Sequence, residues 1–242
     1  MAQAGVQHSM TLRTDAWWVA PLVTFVMLSA FVVYTTWRII ENQYYLAEPY
    51  LSPLYSPLLL LDWWPLSPAI LILWAPGGFR LTCYYYRKAY YRSFVLSPPA
   101  CAVDRGKPGE YCGETRFPLI LQNLHRYFFY AAGVVLVFLW YDAFKAFVFD
   151  EKFGVGVGSI VLLLNAALLT MYSLSCHSFR HMIGGKLNVF SKCPTRFMLW
   201  KAVSGFNEHH MFWAWFSLIV VSLTDLYVRL VASGAIQDVR FI

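Results

Sequence analysis

Charge is what this chain has least of. Of its 242 residues, 13% are Asp, Glu, Lys or Arg. A soluble domain carries roughly twice that fraction, which excludes a soluble enzyme. Histidine is absent from the first two apolar runs and from the outer halves of the later ones. A pair of haems stacked across a membrane, which would need imidazoles near both faces, is thereby disfavoured. The cysteines number five, an odd count, and most lie in basic segments, so a disulfide framework is not expected. No cleavable signal is read, because the first fifteen residues are polar and the first apolar run is too long for a signal core. Internal repeats, low-complexity stretches and short metal-ligand motifs are also lacking.

What is present is apolar length. Hydrophobic residues make up 59% of the chain and aromatics 19%, and the mean hydropathy is +0.50. Crossing a hydrocarbon core takes about 20 helical residues. The backbone must pair internally in lipid, so continuous apolar runs imply helices rather than barrel strands. The reading is an all-α integral membrane bundle of about five transmembrane helices, forming a single transmembrane helical domain over 1–242. The helices are placed at 17–39, 68–92, 117–147, 155–181 and 207–231. Ser67 and Pro68 open the second helix as cap and first residue, and Pro76-Gly77-Gly78 is expected to kink it. Gly184-Gly185 closes the fourth. The proline-broken segment 44–65 is apolar but cannot be one helix, and is read as a lid lying in the outer interface. Its plainer alternative is a packed loop.

Lysine and arginine set the orientation. Arg80–Arg116 carries seven basic residues and His177–Phe206 carries five, against one (Arg38) and two (Lys145, Lys152) in the alternate loops. The basic segments are therefore assigned to the cytoplasm, with the N-terminus inside and the C-terminus outside a plasma membrane. The net charge of +6 thus reflects topology rather than a nucleic-acid partner. The basic loops also offer a platform for a soluble protein.

The same side collects the chemistry. His125 opens the third helix, His177 and His181 end the fourth one turn apart, and His209 and His210 open the fifth. Cys83, Cys101, Cys112, Cys176 and Cys193 lie there too. Cys83 falls about 22 Å along the second helix, at about 1.5 Å per residue, inside the inner leaflet. A single helix-end histidine is usually an interfacial residue, and cysteine is an ordinary small buried residue. Ionisable groups at membrane depth, however, default to functional candidates. Convergence from four segments points to a metal or redox centre. One haem b, a Rieske-type cluster with two Cys and two His, and a structural zinc all remain open on residue types alone. Asp225 and Arg229, one turn apart, are expected to pair.

Particular stretches carry a family resemblance over nearly the whole chain. They are DAWW at Asp15–Trp18, PYLSPLYSPLL at Pro49–Leu59, WAPGGFRLTCYYYRKAYYRSF at Trp74–Phe94 and SPPACAV at Ser97–Val103. Further along stand GETRFPLILQNLHRYFFY at Gly113–Tyr130, CHSFRH at Cys176–His181, the helix opening around Asn207–Met211, and DLYVRL at Asp225–Leu230. In these the chain resembles the five-helix membrane-anchor (cytochrome b-type) subunit of an actinobacterial-type succinate dehydrogenase, complex II. The resemblance implies a membrane-anchor subunit of a succinate:quinone oxidoreductase in the respiratory chain and tricarboxylic acid cycle. A flavoprotein subunit would oxidise succinate, an iron–sulfur subunit would deliver electrons, and the anchor would pass them through a membrane-embedded centre to quinone.

Some members of this type are thought to carry a Rieske-type [2Fe–2S] cluster in place of the haem pair. On that footing Cys83, Cys101, His177 and His210 are expected as metal ligands, with Cys176 and His181 as competitors. His125, Arg126 and Tyr127 are expected to meet a quinone carbonyl, as donors beside an apolar pocket. Two other functions are weighed. One is a single-haem quinone-reactive cytochrome b, which an optical spectrum would reveal. The other is a non-redox scaffold or transporter, which would need matched helix breaks in two halves. Only the Pro-Gly-Gly of the second helix marks such a break in the sequence.

Overall fold

A computed structural model describes residues 11–104, 113–117 and 119–241. Cys112, Arg105 and Lys107 lie outside the described residues. Helix α1 spans Val19–Glu41, α2 Ile70–Leu81, α3 Tyr84–Tyr90, α4 His125–Lys145 and α5 Val157–Leu174. Helix α6 spans His177–Gly184, α7 Pro194–Glu208 and α8 His210–Ala232. Short helical turns at Tyr91–Val95, Gly113–Thr115, Leu119–Leu124 and Phe190–Lys192 and two short antiparallel hairpins lie between them. Strand β1 (Leu46–Ala47) pairs with β2 (Tyr50–Leu51), and β3 (Val148–Phe149) pairs with β4 (Lys152–Phe153). Asp150 and Glu151 turn the second hairpin with φ of 47° and 65°, the left-handed pair that a two-residue hairpin loop requires.

Among the described residues four helical stretches are long and apolar enough to cross a bilayer. They are Val19–Glu41, Leu119–Lys145, Val157–Leu174 and His210–Ala232. The apolar helix Ile70–Leu81 is shorter. The architecture is an all-α, multi-pass membrane bundle. Its outer surface is apolar, with Val134, Val137, Leu164 and Leu223 all at least half exposed, as lipid-facing positions should be.

The segment expected as one helix over 68–92 is broken. Helix α2 runs through Pro76 without ending, and the chain turns instead at Cys83, whose backbone is extended (φ −63°, ψ 130°). Gly78 has another use. A Cβ there would lie 2.3 Å from the Phe128 ring, so glycine lets α4 approach α2. The segment expected over 155–181 is likewise two helices, with Cys176 extended between them (φ −69°, ψ 140°). His209 (φ −101°, ψ 16°) separates α7 from α8. Pro194 sits in the first turn of α7, where its missing N–H costs no helical hydrogen bond.

The chain divides into two compact units. One comprises Met1–Val33 with Leu81–Asn123, the other Tyr34–Arg80 with Leu124–Ile242. In the first, Phe25 packs on Phe94 with ring centroids 4.7 Å apart, and Arg87 pairs with Glu114. Gln122 donates to the Tyr90 hydroxyl at 2.8 Å. Arg13 donates to the Cys101 carbonyl at 2.8 Å.

In the second unit α5 packs against both α4 and α8. Small residues make that approach possible. Ala143, Ala146 and Ala166 join Tyr50, Phe149, Leu162 and Val228 in a buried cluster at the end of α4 farthest from His125. The C-terminal segment ties the same end down. Asp238 accepts from the hydroxyls of Tyr50 (2.6 Å) and Tyr227 (2.5 Å) and from the backbone N–H of Gly158 (3.0 Å), in the first turn of α5. A Cβ on Gly158 would meet the Tyr50 ring at 2.5 Å, so that clamp depends on glycine.

The expected Asp225–Arg229 pair is not formed. Asp225 is bound by Arg38 at 2.8 Å, by the Tyr34 hydroxyl at 2.6 Å and by the Ser52 hydroxyl. Arg229 pairs with Glu41 at 2.6 Å, and Glu41 also takes Arg38. Arg38 and Asp225 are both fully buried. A buried charge pair persists only when its remaining hydrogen bonds are satisfied, and one helical turn between neighbours cannot supply that many partners. Helix α1 and the segment 44–65 can.

Candidate functional site

At the opposite end of the second unit, four chain segments meet around two aromatic rings. Helix α2 supplies Phe79 and Arg80, α4 supplies His125, the α5–α6 junction supplies Tyr172, Ser175, Cys176 and His177, and α8 supplies His210. The His125 ring stacks on Phe79, with centroids 5.0 Å apart and planes within 13°. Phe79 lies 5.2 Å from Tyr172. Tyr172 stacks in turn on His210, at 5.1 Å and 15°. Four rings thus run from one imidazole to the other. The Arg80 guanidinium stands 4.6 Å over the Tyr172 ring and donates to the Ser217 hydroxyl at 2.9 Å and the Ala214 carbonyl at 3.2 Å. A cation over an aromatic face in a water-poor site is worth about 2 kcal/mol or more.

The break before α6 aims its side chains inward. Cys176 occupies the cap position, and its sulfur accepts from the Ser178 N–H at 3.3 Å. That same sulfur stands 3.2 Å from His125 Nε2. The Ser175 hydroxyl meets His210 Nδ1 at 2.8 Å, and Asn207 donates to the Ser175 carbonyl at 2.7 Å. Cys176 and Tyr172 are 1% and 2% exposed, while the imidazoles of His125 and His210 are half-buried.

The expected ligands divide. His177 and His210 lie in the second unit, while Cys83 and Cys101 lie in the first. Cys83 is buried and Cys101 is exposed. The His177 side chain is exposed. It still loses enough water, and feels enough positive charge from His181, Arg180 and Arg126, to hold its pKa below the ordinary imidazole range. The expected quinone contacts also divide. Successive helix positions point about 100° apart, so His125 turns toward Cys176 while Arg126 and Tyr127 are exposed. Arg126 meets His181 Nδ1 at 2.9 Å. Phe79, Tyr172 and Ser175 carry no sequence signal that separates them from ordinary core residues.

One thiol and two imidazoles are donor types that iron and zinc both take. By spacing they converge on one region rather than on one point. Among the described residues no three His, Cys, Asp or Glu side chains stand together around a single metal-sized position. Phe79 and Tyr172 hold the imidazoles of His125 and His210 apart.

Comparison with known proteins bears on the chemistry. The family described as "Actinobacterial succinate dehydrogenase subunit SdhC" matches residues 19–234. A chain of the Mycobacterium smegmatis Sdh1 complex in the apo form is 47% identical, with a TM-score of 0.88. That likeness covers 100% of this chain and 96% of the other. No curated protein matches the chain.

Proposed function

Because this chain belongs to the actinobacterial family of succinate dehydrogenase SdhC subunits, we propose that its imidazole–thiol region holds a Rieske-type [2Fe–2S] cluster beside a site of quinone reduction. The chain is the membrane subunit of the enzyme, and succinate oxidation belongs to the flavoprotein and iron–sulfur partner subunits. Such a cluster supplies one-electron transfer between a soluble iron–sulfur protein and a quinone.

The observation that carries the reading is the buried Cys176 sulfur 3.2 Å from His125 Nε2, with His210 held by Ser175 at the same end of the unit. In this reading Cys176, His125 and His210 are the ligands that this unit supplies, and a second thiol completes the set. Cys101 and His177 fit less well, since exposed side chains do not keep water from a cluster. The chain's own residues have definable tasks. Ser175 and Asn207 fix the His210 ring, Phe79 and Tyr172 exclude water, and Arg80 places positive charge beside it. Arg126 and Tyr127, exposed one step along α4, are the proposed donors to a quinone carbonyl.

A single haem b is the second reading, and the cofactor content of the complex separates the two. The basic segments are proposed to face the cytoplasm, on the strength of their lysines and arginines. Quantifying iron, acid-labile sulfide and haem in the purified three-subunit complex tests the cofactor. The expected result is one [2Fe–2S] more than the soluble iron–sulfur subunit accounts for, and no haem b. A haem b absorption band without the extra iron and sulfide would overturn it.

A further inference from the structure

At the end of α4 remote from the imidazoles, the β1–β2 hairpin and the proline-rich chain after it leave a cleft of about 230 Å³ against the helix. Its walls are apolar: Leu46, Leu51, Leu58 and Phe138 face it, with Pro49 and Pro57. Its other side is ionic, formed by Glu48, Asp142 and Lys145 with Tyr141. We propose that this cleft binds the headgroup of an aminophospholipid, a ligand carrying both a phosphate ester and a primary ammonium.

Size decides first. A site that swallows a drug-sized molecule has about 300–1,000 Å³, so this cleft takes one end of a longer molecule whose remainder lies in the bilayer. Charge decides which end. Lys145 stands 3.6 Å from Glu48, longer than a direct hydrogen bond. Their side chains are 49% and 67% exposed, so both ions are presented outward. Asp142 is held in place by the Ser56 hydroxyl. One ammonium and two carboxylates match a phosphate on Lys145 and an ammonium on Glu48 and Asp142. A purely anionic headgroup would face both carboxylates with nothing to offer them. A quaternary ammonium has no N–H to donate. The rim residues Phe138 and Leu46 are 42% and 39% exposed, which gives the first acyl methylenes an apolar surface to lie on.

Native mass spectrometry of the whole three-subunit complex tests this. The complex would be washed free of lipid in mild detergent and titrated with dioleoyl-phosphatidylethanolamine, -phosphatidylglycerol or -phosphatidylcholine. Wild type should retain the ethanolamine lipid about tenfold better than the other two, the scale of one charge-assisted hydrogen bond. Lys145→Gln with Glu48→Gln should abolish that preference, while Lys145→Arg, which keeps the charge, should preserve it. Both positions are surface-exposed, and unchanged subunit stoichiometry in the same spectra would show that the variants assemble. Equal retention of the three lipids by wild type would overturn the proposal. So would an undiminished preference in the double variant, or displacement of all three alike by a short-chain hydroquinone.

Discussion

Arg38 on α1 and Asp225 on α8 form a fully buried ion pair, Nε to Oδ2 at 2.8 Å, 187 residues apart in sequence. Polar groups on both sides hold that pair. Tyr34 and Ser52 donate to the carboxylate, and Glu41 and the Gln43 carbonyl accept from the guanidinium.

Removing one partner strands the other. Arg38→Ala should cost about 3–5 kcal/mol, because Asp225 then loses its counter-ion in a site closed to water. Replacing both, Arg38→Met with Asp225→Leu, should recover most of that loss. Thermal unfolding of the detergent-solubilised complex checks both. A double variant no more stable than Arg38→Ala would show that the loss does not come from a stranded Asp225 charge.

The Asp238 clamp predicts a titration. Burial first, and the hydrogen bond to Asp238 second, push the Tyr50 phenol up to about 12, against about 10 for a free phenol. The unfolded chain therefore gives up this proton first as pH rises. The clamp's contribution is full below about pH 10 and is lost between about 10 and 12. Ultraviolet difference spectra of wild type against Tyr50→Phe should place the missing phenolate step near the upper limit. A step near 10 would mean that Tyr50 is not held as described.

Thiol accessibility separates the cysteines. Cys83 and Cys176 are 2% and 1% exposed, whereas Cys101 is exposed. A membrane-impermeant maleimide should label Cys101 in the solubilised chain and spare Cys83 and Cys176. Applied to sealed vesicles, it should reach Cys101 from the cytoplasmic side alone. Labelling of Cys101 from outside intact cells would reverse the proposed orientation.

Four long spans were legible because roughly twenty consecutive apolar residues admit few readings in a chain this poor in charge. The breaks at Cys83, Cys176 and His209 were not, since no proline or glycine stands at any of them. Helix α2 continues through Pro76, the residue at which a kink was expected. The Asp225–Arg229 expectation followed helical spacing, and tertiary partners outweighed it. His125 and His210 do lie at the same end of the second unit, with Phe79 and Tyr172 between them. Their arrangement around Phe79 and Tyr172 was hidden, because aromatic residues in a chain with 19% of them are unremarked. The pairing of His125 with Cys176 also needed the turn at Cys176, which pattern alone does not reveal.

The central claim is that imidazole and thiol side chains of this subunit hold the membrane-embedded cluster. Low-temperature EPR of the reduced complex carrying His125→Ala and His210→Ala tests it most directly, with Cys101→Ser and His177→Ala as separate controls. The histidine double variant is expected to lose the Rieske-type signal and quinone reduction. Succinate oxidation with an artificial acceptor at the flavin should persist, and the two controls should keep the signal. A Rieske-type signal retained in the double variant, in a complex that has assembled with all three subunits, would contradict the claim.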